Sequence, residues 1–439
     1  MAANRENFGS STAAVLAMAG SAIGLGNIWR FPYMVGSNGG AAYIIVYLQL
    51  AIFLSLPILL SETIIGRSSA SNTFGAMEKL APGTKWKWVG LLTIISPLII
   101  LSYYSVVGGW SIEFLWKSVS EGFGESSPAL FGNFISRPWA PLVCHTIFLA
   151  LTAGIVMAGV KSGIEKFNNI SMPLLFVLII VIMIYSLSLP GASEGVEYLV
   201  KPDFSKLTPS AIASAMGQSF FSLSLGVGTI LTYSSYMKKD ADILASGFGT
   251  AAFDLLFALI AGFAIMPAVF AAGIEPGAGP GLIFETLPYI FGTMVSSSAA
   301  LGRIVSILFF LTIVVAALTS SISMFEVGAA YLVEERGMSR RKAVIVIFCA
   351  TWLLGALCSL RDPIFNFCDK LTSNFLMSFG SMLFVIFVGW KMKKSAVREE
   401  LTNGGTLKFS TRLFSVVYFF IRYIAPVAIL AIFITNLLS

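Results

Sequence analysis

AGSAIGLGNIWRFP, residues Ala19 to Pro32, decides how this chain is read. It lies in an apolar segment that begins near Ala13, so hydropathy places it in a membrane. Yet it holds Gly20, Ser21, Gly24 and Gly26, then Asn27, Arg30 and Pro32. An interior Gly costs a helix about 0.5–1 kcal/mol relative to Ala. An Arg near the bilayer centre costs several times that. Unwound backbone at membrane depth is tolerated only where protein buries it or it lines a cavity. The stretch therefore predicts a helix that is broken on purpose, with freed backbone groups available to bind something.

The rest of the chain agrees with a membrane setting. Its 439 residues are 56% hydrophobic and 11% charged, with mean hydropathy +0.85. That composition belongs to a polytopic membrane protein, so length-based counts of soluble domains do not apply. No basic n-region or small-residue cleavage site marks a signal peptide. The net charge of +6 is explained by basic cytoplasmic loops and calls for no nucleic-acid partner. Cys144, Cys349, Cys358 and Cys368 lack metal-ligand spacing and read as small buried hydrophobes. The single His145 cannot build a His-based metal site, and no nucleophile and base stand together. An enzyme is not expected.

Eleven apolar runs are long enough to span, near 11–37, 41–66, 88–120, 140–158, 166–189, 211–236, 242–273, 300–335, 341–360, 363–391 and 411–437. With the N-terminus inside, the inner loops carry nineteen Lys and Arg against six outside. The positive-inside rule then predicts a cytoplasmic N-terminus, an external C-terminus and residence in the plasma (inner) membrane. Two outer connections are long: 190–210 is polar and turn-rich, and 273–299 resembles a short helical hairpin, either a lid or a connector.

The interruption recurs in the sixth run. Gln218 to Gly228 reads QSFFSLSLGVG, with Ser222, Ser224, Gly226 and Gly228 in an apolar context. Five spans separate the two breaks, so the second unit starts from the opposite side, as an inverted repeat requires. Paired Gly-interrupted segments point to a transporter binding site, and the general rule was drawn partly from the family named below. A single break could instead serve tight packing. Helix N-termini freed in this way favour a carboxylate, and freed carbonyls suit sodium. Neutral oxygens from Asn27, Ser222, Thr319 and Ser320 would add to such a site, and an amino acid brings a carboxylate that fits it.

AGSAIGLGNIWRFPY (19–33), NGGAAY (38–43), QSFFSLSLGVG (218–228) and ALTSS (317–321) together resemble the neurotransmitter:sodium symporter family, most of all its bacterial amino-acid branch and the multi-hydrophobic carriers within it. The resemblance covers residues 5–391. It implies an all-α fold of 11 transmembrane helices. A repeat at about 11–189 and a second at about 211–391 form a 5+5 inverted pair with helices 1 and 6 unwound, and an extra helix lies at about 411–437. It implies two sodium ions. The first would take the carbonyl of Ala22, with Asn27, Ser222, Asp254 and the substrate carboxylate. The second would take carbonyls of Gly20, Ile23 and Ala316 with the hydroxyls of Thr319 and Ser320. The family usually has Asn where this chain has Asp254, and chloride-independent members place a Glu where this chain has Ala258. No chloride is expected, the charge coming from Asp254 or Glu62.

Substrate contacts follow from the same resemblance. Gly24 and Gly26 would admit the carboxylate beside Ala22, with Tyr104 bonded to it. Groups near Phe221, Ser222, Ser224 and Ser320 would hold the ammonium. Ile100, Phe221, Val227 and Met324, with Ser321 nearby, would enclose the side chain, unless they are simply core. Gly24 stands where monoamine carriers have Asp, which favours a substrate bringing its own carboxylate. Val227 is small and Met324 adaptable, so aromatic side chains, tryptophan included, should fit. Arg30 and Asp369 would close the outer vestibule above Tyr104 and Phe221. Arg5 and Glu334, supported by Tyr236, would close the inside, with an ordinary solvated terminal charge as the lesser reading of Arg5. Gly163 and Pro173 match a motif for inner unwinding of the fifth span, against a plain helix start at Ile164. The expected activity is sodium-coupled uptake of hydrophobic L-amino acids by alternating access. A channel or amino-acid sensor on the same fold is the alternative.

Overall fold

The computed structural model describes residues 6–124, 127–274, 282–293, 299–407 and 411–438. Among these, nine continuous helices are long and apolar enough to cross a membrane. They are Ala41–Ser69, Lys87–Ser120, Trp139–Met157, Val160–Leu187, Ile243–Ala271, Ala300–Glu334, Arg340–Leu360, Asp362–Lys391 and Thr411–Thr435. The pair Ser11–Ala22 and Gly26–Ser37, bent by 53°, makes a tenth. The sixth apolar run is two helices, Pro209–Ser222 and Thr229–Ser234, with Leu223–Gly228 between them. We number these segments first to eleventh in chain order. The chain is an all-α polytopic membrane protein.

Local chemistry explains where the helices start and stop. Ser10 and Thr208 cap the first and sixth spans by accepting from Ala13 N and Ala211 N, and Asp242 caps the seventh through Ala245 N. The first helix ends because Ile23 turns to extended backbone (ψ 111°). The chain resumes with a wide turn in which Phe31 N–H bonds the Gly26 carbonyl five residues back. In the sixth span Ser224, Gly226 and Gly228 all take positive φ, which no helix allows. At Gly226 (φ +79°) a Cβ would lie 2.0 Å from the Met377 carbonyl, so the tenth span could not pack against the break with any other residue there.

Outside the membrane two readings change. The 190–210 connection is not simply turn-rich: it contains the helix Ala192–Val200. Its Tyr198 hydroxyl donates to the Gly36 carbonyl at 2.8 Å, tying the connection to the end of the first span. In 273–299, the described part is one helical piece, Leu282–Thr293, and not a hairpin; 275–281 and 294–298 lie outside the described residues. Phe284 of that piece stacks on Phe131 (5.3 Å) and meets Phe114 and Trp110 edge-on. The outward faces of the bundle are apolar. Trp88 (59% exposed) and Trp116 (65%) project from the two ends of the third span.

Candidate functional site

The two breaks meet in the interior. Asn27 Nδ2 lies 3.1 Å from Ser222 Oγ and 2.7 Å from Asp254 Oδ1, and Ser222 Oγ donates to the Asp254 carboxylate at 2.9 Å. Gly24 N–H turns away from its own helix and donates to Asn27 Oδ1. First, sixth and seventh spans thus share one fully buried oxygen cluster with an acidic side chain at its centre. A buried carboxylate of this kind needs donors or a cation to offset its desolvation. Ala22 ends the first helix at this level and borders the neighbouring cavity.

A second group of oxygens lies between the first and eighth spans. Thr319 Oγ1 is 2.8 Å from the Ala316 carbonyl and 3.2 Å from that of Ile23. Ser320 Oγ is 3.2 Å from the carbonyls of both Ser21 and Ile23. Gly20 faces the fifth span: a Cβ there would lie 2.0 Å from Asn168 Oδ1, a buried oxygen without a hydrogen-bond partner among the described residues. These are uncharged hard donors converging from backbone and hydroxyls, which suits a monovalent cation. Asn168 had no motif to flag it. Its one visible signal was an amide inside an apolar run.

Between the two clusters is a small cavity of about 30 Å³, roughly the space of one water. Ala22, Gly24, Gly26, Ile100, Tyr104, Phe221, Ser224, Val227, Ser320 and Met324 line it, as does Met377, which sequence reasoning missed. At Gly24 a Cβ would meet Ser320 Oγ at 2.4 Å and the Tyr104 hydroxyl at 2.8 Å, so only backbone fits. Tyr104 accepts from Leu25 N–H at 3.1 Å. Two expected lining residues point elsewhere. Ser222 turns to Asp254, and Ser321 Oγ donates to its own helix at the Ala317 carbonyl.

Above this cavity opens a vestibule of about 820 Å³, and Tyr104 and Phe221 belong to the walls of both. Arg30 and Asp369 face it, with Trp29, Tyr103, Trp110 and Phe365 nearby. The Arg30 guanidinium lies 4.7 Å over the Phe221 ring, and no ion pair joins it to Asp369 among the described residues. A cation over an aromatic face is held by the ring quadrupole, which steadies Arg30 at this depth.

The opposite end, where the loops are rich in Lys and Arg, is closed. Phe8 is buried and packs edge-on to Tyr233 and Tyr236. Glu6 Oε2 accepts from Val160 N at 2.6 Å, and Glu165 Oε2 accepts from Gly9 N at 2.8 Å, so the N-terminal segment is buttoned to the start of the fifth span. That start is loose: Ile164 N–H reaches back five residues to Gly159, across Gly163, and Pro173 interrupts the helix further on. Arg5 lies outside the described residues. Glu334 accepts from Asn72 N and Nδ2, and the Tyr236 hydroxyl donates to Glu326 Oε1 at 2.7 Å. Glu326 is wholly buried and also pairs with Arg340 at 2.7 Å. The motif reading did not name this Tyr236–Glu326–Arg340 group; an acid within an apolar helix was its only trace.

Comparisons with known proteins identify the family. A model of the sodium:neurotransmitter symporter family matches residues 5–126 and 135–439. An uncharacterized sodium-dependent transporter of Bacillus subtilis, YhdH, is 36% identical over 96% of this chain and 95% of its own. Another uncharacterized sodium-dependent transporter, from Haemophilus influenzae, is 34% identical over 99% and 98%. The crystal structure of MhsT in complex with L-phenylalanine superposes with TM-score 0.90 at 40% identity, over 99% of this chain and 100% of that one. The overall fold is thus shared with a solved transporter structure, and the chain belongs to the sodium:neurotransmitter symporter family, whose members are transporters and not enzymes.

Proposed function

We propose that this chain takes up hydrophobic L-amino acids, aliphatic and aromatic with tryptophan included, together with two sodium ions and without chloride. The observation that carries the reading is the small apolar cavity between two buried oxygen clusters, floored by the backbone of Gly24 and Gly26. The substrate carboxylate would sit at Gly24 and Gly26 with Tyr104, near enough to the Asn27–Ser222–Asp254 group to share its sodium. That sharing couples the two ligands, because each then raises the affinity of the other, typically by about 1–3 kcal/mol. Thr319, Ser320 and the carbonyls of Gly20, Ile23 and Ala316 would hold the second ion. Asp254 supplies the negative charge that chloride provides in other members; Glu62 is committed elsewhere, accepting from Gly226 N at 2.7 Å.

The side chain would enter among Ile100, Phe221, Val227, Met324 and Met377. The present opening holds only a water-sized volume, so Phe221 and the two methionines must shift to admit an aromatic ring. MhsT, seen with L-phenylalanine, supports that class of substrate. Alternating access would work between two inverted halves, about 11–189 and 211–391, in the plasma membrane. The N-terminus would be cytoplasmic and the vestibule external. In this arrangement the described state is open to the outside and latched within.

The test is uptake by purified protein in liposomes. Labelled L-phenylalanine should accumulate when sodium is high outside, with or without chloride, and leucine and tryptophan should compete. No accumulation under that gradient would overturn the proposal, and a strict need for chloride would overturn its ionic part.

A further inference from the structure

Cys358 stands near the end of the ninth span and Cys368 in the opening helix of the tenth, Asp362–Lys370. Their Sγ atoms are 4.0 Å apart. Both are almost fully buried in the protein, yet Cys358 borders the 820 Å³ vestibule beside Ser359, Asp362 and Phe365. Cys358 thus belongs to the vestibule wall, and a small solute in the vestibule would reach its sulfur as that wall moves. Cys368 is followed at once by Asp369, and its carbonyl accepts from Thr372 Oγ1, which in turn lies 3.0 Å from the Tyr103 hydroxyl. The turn that carries Cys368 is thus the wall on which the vestibule's acidic side chain is mounted. The other two thiols differ: Cys144 lies beside Glu113, and Cys349 is exposed on the ninth span.

We propose that Cys358 and Cys368 form a redox-modifiable site that takes a low-molecular-weight disulfide as oxidant and closes to an intramolecular disulfide. One thiolate attacks the small disulfide, forming a mixed disulfide and releasing one small thiol. The second cysteine sulfur displaces the other small thiol as the protein disulfide forms. The protein loses two protons and two electrons, and the small disulfide takes up both to become two thiols. The sulfurs must close from 4.0 Å to about 2.05 Å, within reach of side-chain rotation and a slight approach of the two helix ends. The external side of the membrane, where the vestibule is assigned, is where such bonds persist. The bond would pin the outer end of the tenth span to the ninth, fix Asp369 and hold the vestibule in its open form. The effect on uptake rests on the proposed transport; the thiol chemistry does not.

The experiment uses the full chain carrying Cys144→Ser and Cys349→Ser, treated with oxidised glutathione. Maleimide labelling of the denatured protein should fall from two thiols to none, the intact mass should drop by two hydrogens, and dithiothreitol should reverse both. Hydrogen exchange across 362–376 should slow. Sodium-driven L-phenylalanine uptake in liposomes should fall by about tenfold or more and recover on reduction. Adding Cys358→Ser or Cys368→Ser should abolish the response to oxidised glutathione, each variant being read against its own untreated uptake. Two thiols still labelled after oxidation would overturn the proposal, as would a disulfide that changes neither exchange nor uptake. If untreated protein takes up nothing, transport itself is refuted, and labelling, mass and exchange still decide the site.

Discussion

Asp254 puts a carboxyl group where Asn27 and Ser222 already supply neutral polar groups. If it stands in for chloride beside sodium, Asp254→Asn should weaken apparent sodium affinity about tenfold, near 1.4 kcal/mol. The same variant should make uptake respond to added chloride, read by sodium titration in chloride and gluconate media. Glu62 behaves differently. Its Oε1 accepts from Gly226 N–H at 2.7 Å, and the carboxylate is wholly buried. Glu62→Gln keeps an acceptor for Gly226 and should fold nearly normally. Glu62→Ala leaves that N–H unsatisfied and should cost about 1–3 kcal/mol, seen as a lower melting temperature in detergent. Residues of this kind were legible because an acid or a run of glycines in an apolar helix demands a reason. Met377 and Asn168 were not. A methionine in an apolar helix looks like core until the tenth span is seen against the sixth. An amide in the fifth span says nothing about Gly20, 148 positions earlier.

The fifth span shows what an element adds. Gly163 and Pro173 were readable as weak points, since Gly loosens a helix and Pro removes a donor. What restrains those weak points was not readable, because it comes from the far N-terminus: Glu6 takes the N–H of Val160 and, more weakly, Lys161. A carboxylate on a helix N-terminus is worth about 0.5–2 kcal/mol. Glu6→Ala should therefore raise hydrogen exchange over 160–168 several-fold while leaving the sixth span protected. If the fifth span gates inward sodium release, the same variant should speed sodium efflux from loaded vesicles. The break in the sixth span was legible down to its glycines, yet its closure on Met377 depends on a helix about 150 residues further along.

At the scale of the whole molecule, hydropathy located the spans and charge asymmetry supports the proposed orientation, because both effects are sums over many residues. Pairings between distant helices are few and specific, so they escape such sums. Glu326 with Arg340 is one: the acid is wholly buried and the cation closes over it at 2.7 Å, with Tyr236 donating from the sixth span. Removing one partner of a buried pair typically costs about 3–5 kcal/mol. Arg340→Ala should accordingly destabilise the inward-closed arrangement, and distance measurements between labels at the two sides of this end should show a larger open population.

The tryptophans at the two ends of the third span carry one more consequence. Trp88 and Trp116 are both exposed and stand 28 residues apart on one unbroken helix, about 42 Å along its axis. A hydrocarbon core is about 30 Å thick, and Trp prefers the interface on either side. With its interfaces a bilayer measures about 40–45 Å, so the two rings reach both interfaces together, and a change of thickness would be felt by every span packed on this helix. The protein is in this sense a gauge of bilayer thickness: its turnover should peak at one acyl-chain length and fall in thinner or thicker lipids, with Trp116→Ala flattening that peak.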